Sequence, residues 1–272
     1  SMSKGEDFSN QYRFMTPAEA DAAFAPLAQR PVVFPDSTGS WLSTHRPDIV
    51  LVILESFTGH ILDMPEVMPR LKALSEEGIY FPHFYANSFR TDRGLVSILS
   101  GYPAQPTASI MKSPSKSQSL PAIARSLRKV GYDTEMIYGG DADFTNMRSY
   151  FYATGYGRVM SCDDFTTEEN SARWGVPDHI TFPRVEKEIA RQTARPFMKT
   201  FLTLSSHEPF DVPMSRLEHP YLNSVAYTDS CLGAFVDTLR QSPLWENLLI
   251  VFVADHTMRY PAGIQEHEVK RH

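Results

Sequence analysis

Leu248-Leu249-Ile250-Val251-Phe252-Val253-Ala254, followed at once by Asp255-His256, is the stretch that decides the fold. Seven consecutive apolar residues, six of them large, read as a β-strand buried on both faces. The run stops at an acid and a histidine. Strands of this kind belong to parallel sheets, and open α/β sheets gather their ligands at the carboxyl ends of their strands. The pair Asp255-His256 is therefore expected at a reaction site.

Ile49–Leu54 repeats the pattern and also ends in an acid, Glu55. A short strand, Thr134–Tyr138, is expected to end in Gly139-Gly140-Asp141, and the strand Phe197–Leu204 runs into Ser205-Ser206-His207-Glu208-Pro209. Helical periodicity fills the spaces between. Leu95, Ile98 and Leu99 follow Thr91, which stands just before a helix. Leu120, Ile123, Ala124 and Leu127 lie between Ser119 and Gly131 as caps. Further helices are expected from 146 to 154, from 178 to 191 with Ile180, Val185 and Ile189 inward, and around Leu232, Phe235, Val236 and Leu239. A helix between Pro65 and Gly78 precedes an aromatic segment, Ile79–Tyr85, expected to be extended. Strands alternating with helices predict an α/β fold with a mostly parallel central sheet sandwiched by helices. Glu55, His207, Asp255 and His256 then meet at one sheet edge.

The remainder of the chain sets limits. The 272 residues are 42% apolar and 21% charged, which is globular composition. Net charge is −6, from 26 basic and 32 acidic residues, and there is no basic stripe with interleaved aromatics, so no nucleic-acid partner is expected. No apolar run is long enough to span a bilayer. Cys162 and Cys231 match no zinc or C-x-x-C pattern and read as two thiols or one bridge. Residues 1–47, with five prolines, read as a leader or linker wrapping the domain, carrying one short helix. In that helix Thr16 caps, Glu19 completes a capping box, and Pro26 is expected to end the helix at Ala25. Residues 101–119 read as an ordered loop or flap. The polar end, Gln265–His272, is expected to be a cut within a longer domain.

Glu55, Asp255 and His256, with Thr91 as a further oxygen, form a hard, mixed O/N set suited to Mn²⁺, Mg²⁺ or Zn²⁺. Each has a plainer alternative: an ion pair at a strand end, a loop hydrogen bond, a helix cap. A divalent ion would activate an otherwise weak hydroxyl nucleophile at Thr91. Arg90, Arg93 and His207 are candidates for neutralising a transferring anionic group, the arginines standing between phosphate contact and solvated surface. His60 and His83 read as structural. A dinucleotide fingerprint, a phosphate-binding Walker loop and a G-x-S-x-G elbow are all missing.

Taken together, Leu51–Phe57, Asn87-Ser88-Phe89-Arg90-Thr91-Asp92-Arg93-Gly94, Ser100–Pro103, Tyr138–Phe144, Leu202–Phe210 and Ala254-Asp255-His256 make the chain resemble the lipoteichoic acid synthase and phosphoglycerol transferase family. That family lies within the alkaline phosphatase and sulfatase superfamily. The resemblance implies a sulfatase-like catalytic domain over 48–272 with its C-terminal part missing. It implies one metal, manganese first, on Glu55, Thr91, Asp255 and His256. Thr91 would be the nucleophile that takes glycerol phosphate from phosphatidylglycerol and hands it to a glycan or polyol acceptor. His207 would contact the phosphoglycerol group, and Arg148 lies where the family places substrate-binding side chains, although the spacing differs and the Trp beside Phe144 is absent. The family's usual setting implies transmembrane helices outside this chain and a catalytic domain facing the periplasm or the exterior of a bacterial membrane. Phosphoethanolamine transfer, sulfatase-like or phosphodiesterase-like hydrolysis, and a silent envelope lipid- or glycan-binding domain are the alternatives.

Overall fold

The computed structural model describes residues 14–28 and 42–258. Most of the leader, the terminal segment after Met258, and with it His267 and His272, lie outside the described residues. The chain divides after Ser43. The one element described in the first unit is α1, Pro17–Ala28. Its capping box is present: the Thr16 amide donates to Glu19 Oε2 at 2.7 Å and the Glu19 amide donates to Thr16 Oγ1 at 3.3 Å. The helix does not stop at Ala25. It carries Pro26 inside it, two residues before its end.

The second unit is built on five strands, β1 (Asp48–Leu54), β2 (Asp133–Tyr138), β3 (Arg158–Met160), β4 (Phe197–Leu202) and β5 (Leu248–Ala254), in the order β3-β2-β4-β1-β5. Every pairing is parallel, with Leu54 opposite Ala254 and Ile53 opposite Leu202, so β1, β4 and β5 end level. The period-two alternation of β1 sends Val50, Val52 and Leu54 to one core and Leu51 and Ile53 to the other. The first core is closed by α7 (Asp178–Ala190) and α8 (Pro220–Arg240) through Phe182, Val185, Ile189, Leu232 and Phe235, with the partly buried Leu71 and Leu74 of α2 (Pro69–Glu77) packed against it. The second is closed by α3 (Thr91–Ser100), α5 (Ile123–Lys129) and α6 (Met147–Thr154) through Leu95, Leu99, Ala124 and Phe151. This is a mostly parallel sheet between helical layers.

Five details differ from the sequence reading. Thr91 is the first residue of α3, and Arg90 holds the capping position without a side-chain cap. Ser119 does not cap α5: Pro121 disfavours helical backbone at Leu120, and the helix starts at Ile123 after Ala122. The 101–119 loop contains a 3₁₀ turn, Ile110–Lys112, and one short helix, α4 (Pro114–Ser117). Residues 79–85 form no strand and expose Tyr80, Phe81, Phe84 and Tyr85. β5 is not doubly buried. Among the described residues it pairs only with β1, and Val251 is 37% exposed, because burial of a strand is set by its neighbours as well as by its own apolarity.

Candidate active site

Two chain turns and one helix start make the site. After β1, Glu55 is buried, its amide donating to Thr203 Oγ1 at 2.9 Å and its carbonyl accepting from Ser206 Oγ at 2.6 Å. The next residue, Ser56, has φ of 58°, a left-handed conformation that a non-glycine residue adopts only when its surroundings enforce it. Three hydrogen bonds do so: Ser56 N donates to Asp255 Oδ1 (3.0 Å), Ser56 Oγ donates to Glu55 Oε1 (2.7 Å), and Tyr221 OH donates to the Ser56 carbonyl (2.7 Å).

After β5, Asp255 and His256 are both buried, and the His256 amide donates to Asp255 Oδ1 at 2.7 Å. His256 Nδ1 lies 3.1 Å from the Thr257 carbonyl. A carbonyl can only accept, so Nδ1 carries a proton, and Nε2 is the nitrogen left to face the site, with a lone pair once the ring is neutral. The third part arrives through Gly94. A Cβ at this position would stand 2.3 Å from the Asp255 carbonyl oxygen, so the absence of a side chain lets α3 lie against the end of β5. That approach brings Thr91 Oγ1 to 3.1 Å from Glu55 Oε2 and 3.2 Å from His256 Nε2.

The electrostatics are those of a site short of positive charge. Burial and the adjacent Glu55 push the Asp255 carboxyl well above its usual range, against the pull of His256. Burial opposes charge on Glu55 too, yet the His256 hydrogen bond and charge, with help from His207 and Ser56, hold it below the usual range. Burial works against the His256 imidazolium, but Glu55 and Asp255 raise its pKa to about 9. Asp255 Oδ2 is buried without a hydrogen-bond partner. One ligand atom each from Glu55, Asp255 and His256 lie within 4.8 Å of one another. The edges Thr91 Oγ1–Glu55 Oε2, Thr91 Oγ1–His256 Nε2 and His256 Nε2–Glu55 Oε1 are 3.1, 3.2 and 3.3 Å. Donors about 2.0–2.2 Å from one small divalent ion stand roughly 3.0–3.4 Å apart, so the donor set fits such an ion.

The other sequence candidates divide. His207 is half-buried after β4, close enough for its charge to act on Glu55. Arg90 is exposed, with Nε 3.7 Å from Asp92 Oδ1. Arg93 donates from Nη1 to the Pro106 carbonyl at 2.6 Å and packs over Phe89, which ties α3 to the 101–119 loop. Arg148 forms a clamp: Nε donates to both Asp143 oxygens (3.0 and 3.1 Å) and Nη2 to Ser161 Oγ and Asp163 Oδ2 (3.0 Å each). His60 and His83 are exposed and outside the cluster. Cys162 and Cys231 are free thiols. Sequence reasoning passed over Ser56, Thr203, Ser206 and Tyr221, whose hydrogen bonds shape the turn after β1. Their only linear signal is that they are polar residues just beyond buried strands or on an apolar helix.

A parallel sheet sandwiched by helices, with a buried acid–acid–histidine cluster and an adjacent threonine at its carboxyl edge, defines the alkaline phosphatase-like class. The sulfatase family model matches residues 47–271, and the chain belongs to that family. It is 26% identical over 241 residues to the lipoteichoic acid synthase-like YvgJ of Bacillus subtilis, covering 82% of this chain and 38% of that protein. Among solved structures it is similar to an alkaline phosphatase superfamily protein from Vibrio parahaemolyticus, with a TM-score of 0.72, 28% identity, and coverage of 80% of this chain and 56% of the other. The lipoteichoic acid synthase LtaP of Listeria monocytogenes shares the fold, with a TM-score of 0.70 at 23% identity, over 82% of this chain and 59% of that one. The chain thus spans well under two thirds of each of these relatives. No helix among the described residues is long and apolar enough to cross a membrane.

Proposed function

We propose that this domain transfers glycerol phosphate from phosphatidylglycerol to a glycan or polyol acceptor, with Thr91 as the nucleophile and a covalent phosphothreonine intermediate. The observation that carries the reading is the Thr91 hydroxyl, at the start of α3, 3.1 Å from Glu55 and 3.2 Å from His256. Glu55, Thr91, Asp255 and His256 would hold one divalent ion, manganese on the family resemblance, with magnesium and zinc compatible with the same donors. When bound, such an ion lowers the pKa of the threonine hydroxyl and draws charge from a phosphoryl oxygen.

The chain's own groups supply the rest. Thr91 Oγ1 forms a bond to phosphorus as the bond from phosphorus to the diacylglycerol oxygen breaks. Thr91 gives up its proton and the departing oxygen gains one, so charge is conserved. An acceptor hydroxyl then attacks phosphorus and Thr91 leaves, recovering a proton. Free amides and the dipole of α3 favour a phosphoryl group beside Thr91. His207 presents its Nε2 lone pair to a glycerol hydroxyl of the transferring group, and Glu55 and His256 hold Thr91 in line. A bacterial membrane, with this domain on its outer side, is the setting that supplies such a donor.

The test is incubation of the protein, alone and within its full-length parent, with labelled phosphatidylglycerol and Mn²⁺. Release of diacylglycerol, abolished in T91A, is the expected result. Release from phosphatidylethanolamine in its place would move the reading to phosphoethanolamine transfer. Binding of either lipid with no release and no adduct on Thr91 would favour a silent lipid-binding domain.

A further inference from the structure

The segment Trp174-Gly175-Val176-Pro177-Asp178, which precedes and opens α7, has no part in the chemistry above, yet it is built against His207. Trp174 Nε1 donates to the Glu208 carbonyl at 2.7 Å, and His207 Nδ1 lies 2.7 Å from the same oxygen. The two rings meet edge to face, with centroids 5.3 Å apart at 63°. Because a carbonyl only accepts, this geometry requires the His207 proton on Nδ1 and leaves Nε2 free of it in the neutral ring.

The support beneath Trp174 is rigid on two sides. Gly175 has φ of +143°, and a Cβ there would stand 2.1 Å from the Gly139 carbonyl oxygen, so the segment presses directly on the turn after β2. The Val176 amide donates to that same carbonyl at 2.9 Å. On the other side the fully buried Asp178 carboxylate accepts from the amides of Leu204 (2.9 Å) and Ser205 (3.3 Å) and from Thr228 Oγ1 (2.7 Å), while the Asp178 amide donates to Ser205 Oγ (2.9 Å). Residues 174–178 therefore pin the stretch that carries His207 at both ends, through Asp178 at its start and through Trp174 at its tip. Trp174 itself is 45% exposed, a large apolar ring kept at the surface beside a half-buried histidine.

We propose that Trp174 is the positioning residue of His207, fixing its tautomer and ring orientation so that Nε2 is presented to the substrate. The assignment rests on the reading of His207 as a substrate contact. Trp174 acts through the histidine and touches none of the reacting atoms.

The experiment is a double-mutant cycle with a spectroscopic arm. Turnover of phosphatidylglycerol is measured for wild type, W174A, W174F, H207A and W174A/H207A, together with bound manganese. The side-chain ¹⁵N signals of His207 are recorded alongside. W174A is expected to lose about tenfold in turnover, the lower end of what removing a supporting partner of a site residue costs. It should keep its manganese, and it should cost nothing further in the H207A background. W174F, which keeps an aromatic ring but loses the pyrrole ring and its N–H, is expected to recover part of the loss. The His207 spectrum should pass from a single Nδ1-protonated tautomer to a mixture in W174A. Additive losses in the double variant, or an unchanged His207 tautomer in W174A, would overturn the proposal. Wild-type turnover in H207A would instead remove the substrate-contact reading, and the tautomer measurement alone would then decide whether Trp174 sets His207.

Discussion

Gly94→Ala is the most informative small perturbation of this site. The added carbon would stand 2.3 Å from the Asp255 carbonyl oxygen, where ordinary contact begins at 3.4 Å, so α3 and the end of β5 must separate by about 1 Å. Thr91 is three residues upstream on the same helix, and its 3.1 and 3.2 Å distances to Glu55 and His256 must stretch with it. Overpacking of this kind costs about 1–3 kcal/mol, and Ala recovers up to ~1 kcal/mol over Gly inside a helix. The net change in stability is therefore small, about 0–2 kcal/mol. Misplacing a reacting group by ~1 Å costs on the order of 100-fold in rate. The assay pairs lipid turnover with a denaturant melt: G94A is expected to fold with a midpoint near that of wild type and to turn over about 100-fold more slowly. Wild-type turnover in a folded G94A would refute the claim that close approach of α3 to β5 aligns the nucleophile.

Metal binding should depend on pH in a direction set by His256. Its pKa in the metal-free protein is raised from 6.5 to about 9, so below about 9 the ion must displace a proton. Apparent manganese affinity, read by calorimetry in buffers of different ionisation heat, should rise roughly tenfold per pH unit from 7 to 9 and then level. The raised Asp255 carboxyl steepens the fall on the acid side. A flat profile between pH 7 and 9 would contradict the coupling. Arg148→Ala removes a clamp whose carboxylate partners are largely exposed, so the loss should be modest, about 1 kcal/mol by denaturant melt, with turnover per folded molecule unchanged. A large fall in turnover without loss of stability would instead give Arg148 the substrate role that the family resemblance implies. Glu55→Ala and Asp255→Ala should each purify without manganese under conditions that load the wild type with one ion per chain, as read by elemental analysis.

The carboxyl-edge arrangement was legible because β1 and β5 are unbroken apolar runs that stop at charged residues. Parallel pairing in register then leaves Glu55, Asp255 and His256 no choice but to converge. Thr91 was legible as a helix start from the 95, 98, 99 stripe, though not to the residue. What was not legible depends on partners distant in sequence. Lys199 sits inside a strand whose every residue is buried, and it is tolerated because Glu135, its register partner on β2, takes its charge. The three-residue β3 is too short for periodicity to show. The exposure of β5 follows from sheet order, which apolarity does not encode. Nor does any local pattern announce that Trp174 and His207, 33 positions apart, share one carbonyl oxygen.

A crystal structure of the manganese-soaked protein tests the central claim most directly. A single ion should stand about 2.0–2.2 Å from Thr91 Oγ1, His256 Nε2 and oxygens of Glu55 and Asp255. An ion bound elsewhere, or bound at the carboxylates with the Thr91 oxygen left outside its reach, would contradict the account.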